Sequence, residues 1–248
     1  MWKTLRSLMR RPETEQSDDN IVCIYAVGDV HGRLDLLSET LSKIDADVEI
    51  THPRRWVEVF VGDYVDRGAD SFGVIDALAE RARAPHVVCL RGNHEQILLN
   101  FFADPSLLKS WRQFGALQTL QSYGLKPSAN PDLDESFQLA DQLLRAMPSS
   151  HLQFLQTLPT SFSFGNYFFA HAGIRPGVPL AQQQDQDLLW IREEFLLCDD
   201  DFGQVIVHGH TPARAPEVLH NRINLDTGAY ATGRLTCARL QGRQIRFL

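Results

Sequence analysis

Six oxygen or nitrogen donors lie where an apolar run gives way to a glycine-containing cluster: Asp29, His31, Asp63, Asn93, His171 and His210. Carboxylate, amide and imidazole donors together suit Mn2+, Fe or Zn2+, and the lack of thiolates among them argues against a structural zinc site. Six ligands are too many for one catalytic ion that keeps an open position. They suit two ions sharing one bridging carboxylate. Two ions ~3.5–4 Å apart can hold a bridging hydroxide and clamp both ends of an in-line displacement at phosphorus. Asp66, Arg67 and His94 read as the accompanying non-ligand chemistry. A guanidinium fork matches the charge on phosphoryl oxygens, and an imidazole oriented by a carboxylate can protonate a leaving oxygen. Arg192, in LLWIREEF, is a candidate second phosphate clamp.

One such residue alone would mean little. A Gly-Asp after a strand is often only a turn, and His171 by itself would read as a satisfied polar group. His52, His86, His151 and His220 have no comparable context. The weight comes from repetition, because independent turns would not each place a metal-competent residue at a successive strand end.

Those strand ends follow from the apolar pattern. IVCIYAVGD (21–29), WVEVFVGD (56–63) and HVVCLRGN (86–93) are β-branched apolar runs that end in polar clusters. Helical spacing follows each: Leu34, Leu37, Leu41 and Ile44 on one face, then 72–83, then 94–102. Strand–helix alternation predicts parallel strands with crossover helices, and ligands in such sheets lie beyond the strand carboxyl ends. Residues ~105–158 read as a helical insert with no chemical motif. YFFAHAG (167–173) and QVIVHGHT (204–211) are further strands ending in histidine, while INLDTGAY and RLTCARL alternate like antiparallel strands.

Of the 248 residues, 44% are hydrophobic and 22% charged, enough for a sizeable core without disulfides. The net charge of −7 argues against a nucleic-acid partner or an anionic membrane surface. No apolar run is long enough to span a bilayer, so no integral membrane association is expected. Cys23, Cys89, Cys198 and Cys237 form no CxxC pair and read as packing groups in a reducing, cytoplasmic compartment. Residues 1–19 carry a basic start with Trp2, Leu5, Leu8 and Met9, then a polar run, and read as a flexible tail before a single catalytic domain over 20–248.

GDVHG, GDYVDRG, RGNHE, HAG and HGHT, in that order from residue 28 to 211, resemble the signature blocks of the phosphoprotein phosphatases within the calcineurin-like metallophosphoesterases. LLWIRE resembles the segment carrying the second phosphate-binding arginine of compact bacterial and phage serine/threonine phosphatases. The resemblance implies an α/β four-layer sandwich, two mixed β-sheets flanked by helices, with a dimetal site at the strand carboxyl ends. It makes Asp29 and His31 ligands of a first ion, Asp63 the bridge, and Asn93, His171 and His210 ligands of a second. His94 and Asp66 become the acid pair, and Arg67 and Arg192 the phosphate clamps. His208, Glu95, Asp226 and Tyr230 are expected behind the ligands or along the cleft.

The chain has DTGAY in place of a SAPNY-type segment, HAG in place of HGG, and Arg33 where eukaryotic members carry Gln. These point to a compact prokaryotic branch. The resemblance implies a monomeric, Mn2+-dependent phosphomonoesterase acting on a phosphorylated protein or a small phosphoester. The first alternative is a nucleotide or dinucleotide polyphosphate hydrolase of the diadenosine tetraphosphatase kind. Such enzymes lack the aspartate at position 66 and read GNHD, so Asp66 and Glu95 favour the protein phosphatase. The second alternative is a non-catalytic binding module on the same fold. Substrate selection is expected from the insert and from the loop at 174–187.

Overall fold

The computed structural model describes residues 22–248, and the tail expected over 1–19 lies outside them. The first sheet comprises β1 (Val22–Val27), β2 (Arg55–Phe60), β3 (Val87–Cys89), β9 (Cys237–Gln241) and β10 (Gln244–Phe247), in spatial order β10-β9-β1-β2-β3. β1, β2 and β3 are parallel, whereas β9 runs antiparallel to both β1 and β10. The second sheet comprises β4 (Ser161–Phe164), β5 (Tyr167–Ala170), β6 (Val205–His208), β7 (Glu217–Val218) and β8 (Arg222–Asn224), in order β4-β5-β6-β8-β7. Here β5, β6 and β8 are parallel, with antiparallel β4 and β7 at the edges.

The long apolar runs exist because the central strands are buried on both faces. On β1, Ile24 and Ala26 point into the seam between the sheets, where they meet Phe169, Val207 and Ile223. Cys23, Tyr25 and Val27 point the other way. They pack against Leu37 and Ile44 of α1 (Leu34–Thr51), Ile75 and Leu78 of α2 (Ser71–Arg81), and Leu98 of α3 (Asn93–Ala103). The second sheet repeats the arrangement. Phe169 faces the seam, while Phe168 and Ala170 face Leu188 of α8 (Asp185–Trp190) and Phe195 of α9 (Glu193–Leu196). The layers are therefore helix, sheet, sheet, helix, as the resemblance implies.

The insert is helical: α4 (Leu108–Trp111), α5 (Ala116–Ser122), α6 (Leu133–Ala146) and α7 (Ser149–Thr157). Trp111, Leu120 and Leu139 join the core on the outer face of the first sheet. RLTCARL contributes β9, antiparallel as expected. INLDTGAY does not behave as an antiparallel strand. Only its first residues extend, in β8, which lies parallel to β6 and antiparallel only to the two-residue β7. The chain then turns because Asp226 Oδ1 accepts a hydrogen bond from the Gly228 amide (2.8 Å) and Gly228 adopts φ +63°, leading into the helical turn α10 (Ala229–Thr232). Among the described residues no helix is long and apolar enough to cross a membrane.

Candidate metal centre

The parallel strands of both sheets end on the same side, and the six donors stand just past those ends. Asp29 and His31 follow β1, Asp63 follows β2, and Asn93 opens α3 after β3. His171 directly follows β5, and His210 lies two residues beyond β6. All six are buried.

Backbone carbonyls choose the imidazole tautomers. His31 Nδ1–H donates to the Val65 carbonyl (2.9 Å), and His171 Nδ1–H donates to the Val61 carbonyl (3.0 Å). A carbonyl only accepts, so each Nε2 keeps its lone pair and aims it inward. His171 Nε2 lies 2.8 Å from Asn93 Oδ1, 3.3 Å from Asp63 Oδ1 and 3.1 Å from His210 Nδ1. His210 Nδ1 is also 2.9 Å from Asn93 Oδ1. Donors bonded at ~2.0–2.2 Å to one ion sit about 3 Å from each other, so this cluster has the spacing of a coordination shell. His31 Nε2 approaches the other oxygen of Asp63, Oδ2, at 3.5 Å. Asp63 thus turns one oxygen to each half of the site.

Asp29 completes the first half. Its Oδ2 accepts from the His210 amide (3.0 Å), while Oδ1 is buried without a hydrogen-bond partner. An added Cβ on Gly209 would fall 1.9 Å from that oxygen, so this approach requires glycine. Burial, then the neighbouring Asp226 and Asp63, push the Asp29 pKa well above the usual carboxylate range. Burial also drives His31 down to about 3 and His210 down to about 2, and lowers His171. Neutral imidazoles beside a crowded set of carboxylates are what divalent cations require and what they relieve. The residues therefore fit a two-ion centre.

Backbone strain is concentrated here. Among the described residues, six non-glycine residues have positive φ. Five of them are His31 (+46°), Asp63 (+55°), Asp66 (+72°), Arg67 (+68°) and His210 (+66°). Each left-handed residue costs about 1–2 kcal/mol, so the surrounding fold must hold them. Glu95 is one such support. Its carboxylate accepts from the amides of Gly92 (2.8 Å), Asp63 (2.9 Å), Tyr64 (2.8 Å) and Val65 (3.2 Å), tying the loop after β2 to the first turn of α3.

His94 Nδ1 donates to Asp66 Oδ2 at 2.6 Å. Its Nε2 faces the centre, 3.7 Å from Asp63 Oδ2 and 3.4 Å from Arg67 Nη2. Burial alone would lower the His94 pKa, but Asp63 and Asp66 outweigh it and the net shift is upward. The Arg67 guanidinium stacks over Tyr230, 4.6 Å from the ring centroid, and Tyr230 also meets the edge of His31. Arg33 links the first block to this corner by donating to the Ala229 carbonyl (2.9 Å). On the opposite flank the exposed Arg192 donates to Thr211 Oγ1 (3.3 Å), next to His210.

His208 stands apart from the donors. Strand alternation sends Val207 into the seam and His208 outward, so its ring packs edge-on against Phe195 (5.0 Å) and its Nδ1 bonds the Gly209 carbonyl. Two residues that sequence reasoning missed do reach the site. Trp111 Nε1 donates to Asp66 Oδ2 (2.7 Å), and Thr119 Oγ1 donates to Asp66 Oδ1 (2.6 Å). No local motif marks them. The only general hint is that a buried indole N–H needs an acceptor.

The calcineurin-like phosphoesterase family model matches residues 24–241. The chain is 27% identical over 237 residues to the bis(5'-nucleosyl)-tetraphosphatase PrpE [asymmetrical] of Anoxybacillus flavithermus, covering 86% of this chain and 88% of that one. It is 29% identical over 228 residues to serine/threonine-protein phosphatase 1 of Salmonella typhimurium, covering 88% and 92%. A solved structure of a candidate diadenosine tetraphosphatase superposes with a TM-score of 0.64 at 22% identity, covering 96% of this chain and 95% of that one. The last is a likeness of fold.

Proposed function

Because the chain belongs to the calcineurin-like phosphoesterases and is a hydrolase of that family, we propose that it cleaves the phosphoanhydride chain of dinucleoside polyphosphates. Asp29, His31 and Asp63 would hold one divalent ion, and Asp63, Asn93, His171 and His210 would hold the other. Mn2+ is the first choice for these donors, with Fe or Zn2+ as substitutes. The ions, when bound, supply an activated water and Lewis-acid stabilisation of the phosphoryl group. Arg67 and Arg192 bind phosphoryl oxygens from opposite flanks. His94 Nε2 delivers a proton to the leaving oxygen, and Asp66 holds the ring.

The observation that carries this reading is the likeness to the A. flavithermus tetraphosphatase along nearly the whole of both chains. The site agrees with it. Two flanking arginines suit a polyanionic chain, and Tyr230, 40% exposed beside Arg67, offers a ring surface at the mouth. The order of expectations from sequence is thereby reversed, with the dinucleotide reading now ahead of the phosphoprotein reading. The physical reason lies in the two residues that had favoured the phosphatase. Glu95 spends its carboxylate on four backbone amides, and Asp66 is fully buried against His94, Trp111 and Thr119. Both are fully buried, which leaves neither a surface with which to select a substrate by contact.

A second reading, a serine/threonine phosphatase, is favoured by the His94–Asp66 pair itself. An alkoxide leaving group needs a positioned acid far more than a nucleotide does. The likeness to the Salmonella phosphatase supports it as well. Measuring kcat/KM with Mn2+ for diadenosine tetraphosphate and for phosphoserine and phosphothreonine peptides decides between them. The dinucleotide is expected to be the better substrate by at least ~10-fold, equivalent to about 1.4 kcal/mol. Preference for the peptides would replace this reading with the second.

A further inference from the structure

We infer that the helical insert locks the proposed acid pair in place, with Trp111 and Thr119 as positioning residues for the reaction. The inference rests on the acid role of His94 and not on the choice between dinucleotide and phosphoprotein. Three insert residues spaced by four, Trp111, Gly115 and Thr119, meet the strained pair Asp66–Arg67. The Gly115 carbonyl accepts from the Arg67 amide (3.4 Å), and a Cβ on Gly115 would fall 2.4 Å from that nitrogen. Trp111 and Thr119 close on the Asp66 carboxylate from its two oxygens. The Asp66 amide in turn donates to Thr119 Oγ1 (2.9 Å) and Ser71 Oγ (3.1 Å). Asp66, Ser71, Trp111 and Thr119 are all fully buried.

The donor inventory makes this arrangement directional. Indole is a donor only, so Asp66 Oδ2 spends one lone pair on Trp111 and has one left for His94 Nδ1. Thr119 has a single hydroxyl proton. The carboxylate Oδ1 at 2.6 Å can only accept, so that proton goes to Oδ1, and the Ser71 hydroxyl, 3.1 Å from Thr119 Oγ1, is left to donate to it. With both oxygens engaged, the carboxylate plane cannot turn about a torsion that is otherwise broad and two-fold. His94 therefore keeps its Nδ1–H on Asp66 and presents Nε2, the atom that carries the proton to be delivered, to the centre. The bland alternative is that Trp111 is a core residue, packed 5.1 Å from Phe101, whose N–H merely found an acceptor. A core role predicts losses that ignore the leaving group and are independent of Asp66.

The test measures kcat, KM and bound Mn2+ for Trp111→Phe, Thr119→Val and Thr119→Ser, alone and combined with Asp66→Asn. Phenyl phosphate and 4-nitrophenyl phosphate serve as poor and good leaving groups. Trp111→Phe and Thr119→Val are expected to lower kcat for phenyl phosphate ~10–100-fold, with less effect on 4-nitrophenyl phosphate and no change in KM or metal content. Thr119→Ser restores most of what Thr119→Val loses. In the Asp66→Asn background the same changes add less than ~3-fold, because they act through Asp66. Thr119→Val nearly conserves volume and carries the test if Trp111→Phe does not fold. Losses that multiply with Asp66→Asn, or that are equal for the two substrates, overturn the inference. If His94→Asn alone shows no leaving-group dependence, the acid role falls and the inference with it. If His94→Asn shows that dependence and the insert variants do not, the acid role stands and the clamp is refuted.

Discussion

The loops beyond the strand ends and the helical insert meet at Asp66, yet they are built on opposite terms. The loops carry reactive side chains on strained backbone, with five left-handed non-glycine residues around the donors. The insert carries no side chain that reads as reactive, and its helices join the apolar core on the outer face of the first sheet. In the proposed reading, one region holds the chemistry and the other holds the region that does. The difference teaches that strain at a site is affordable where a rigid neighbour, here α4 and α5, over-determines the geometry.

The comparison can be tested from its chemical side first. Chelation of the purified protein should abolish hydrolysis, by at least ~10³-fold given the several kcal/mol that metal ions contribute, and Mn2+ should restore it. Full activity in the metal-free protein would remove the two-ion centre and leave the loops as turns. Asp63→Asn is expected to be the most damaging single donor change, because Asp63 alone offers an oxygen to each half of the site. Metal analysis should find fewer than two ions per chain, with a loss of activity approaching that of chelation. Retention of two ions would mean that the bridge lies elsewhere.

Between the two regions stands His94. His94→Asn should lower kcat/KM for phenyl phosphate by ~10²–10⁴-fold and for 4-nitrophenyl phosphate distinctly less. Metal content must be checked alongside, because Asn93 is adjacent and the His94 amide donates to Asp63 Oδ1 (3.1 Å). Equal losses at full occupancy would leave the ions standing and remove the acid. The smallest effect is expected from the thiols. Burial pushes Cys23, Cys89 and Cys237 upward, so they stay protonated, and Cys198 is half-buried. Alkylation of the native protein should leave activity within ~2-fold, since a reactive cysteine needs an accessible thiolate. A trapped phosphocysteine would refute hydrolysis by activated water.

The central strands were readable because burial on both faces leaves continuous apolar runs, each broken by a polar cluster. The strands that no apolar run marks, β4, β7 and β10, are all at sheet edges. They are short and are defined by their partners more than by their own pattern. INLDTGAY misled for a related reason. Alternation does not reveal that Asp226 and Gly228 will close a turn and start α10.

Residue type and order along the chain are enough to nominate six candidate donors, the proposed acid pair and the two arginines. Donor chemistry belongs to the side chain itself, and strand-end placement follows from local periodicity. Only the folded arrangement decided which oxygen of Asp63 faces which histidine, and that His208 turns away from the donors to meet Phe195. It also decided that Trp111 and Thr119, 45 and 53 positions from Asp66, would supply its hydrogen bonds. Such contacts depend on how helices pack across a sheet, and no spacing within one segment encodes that distance.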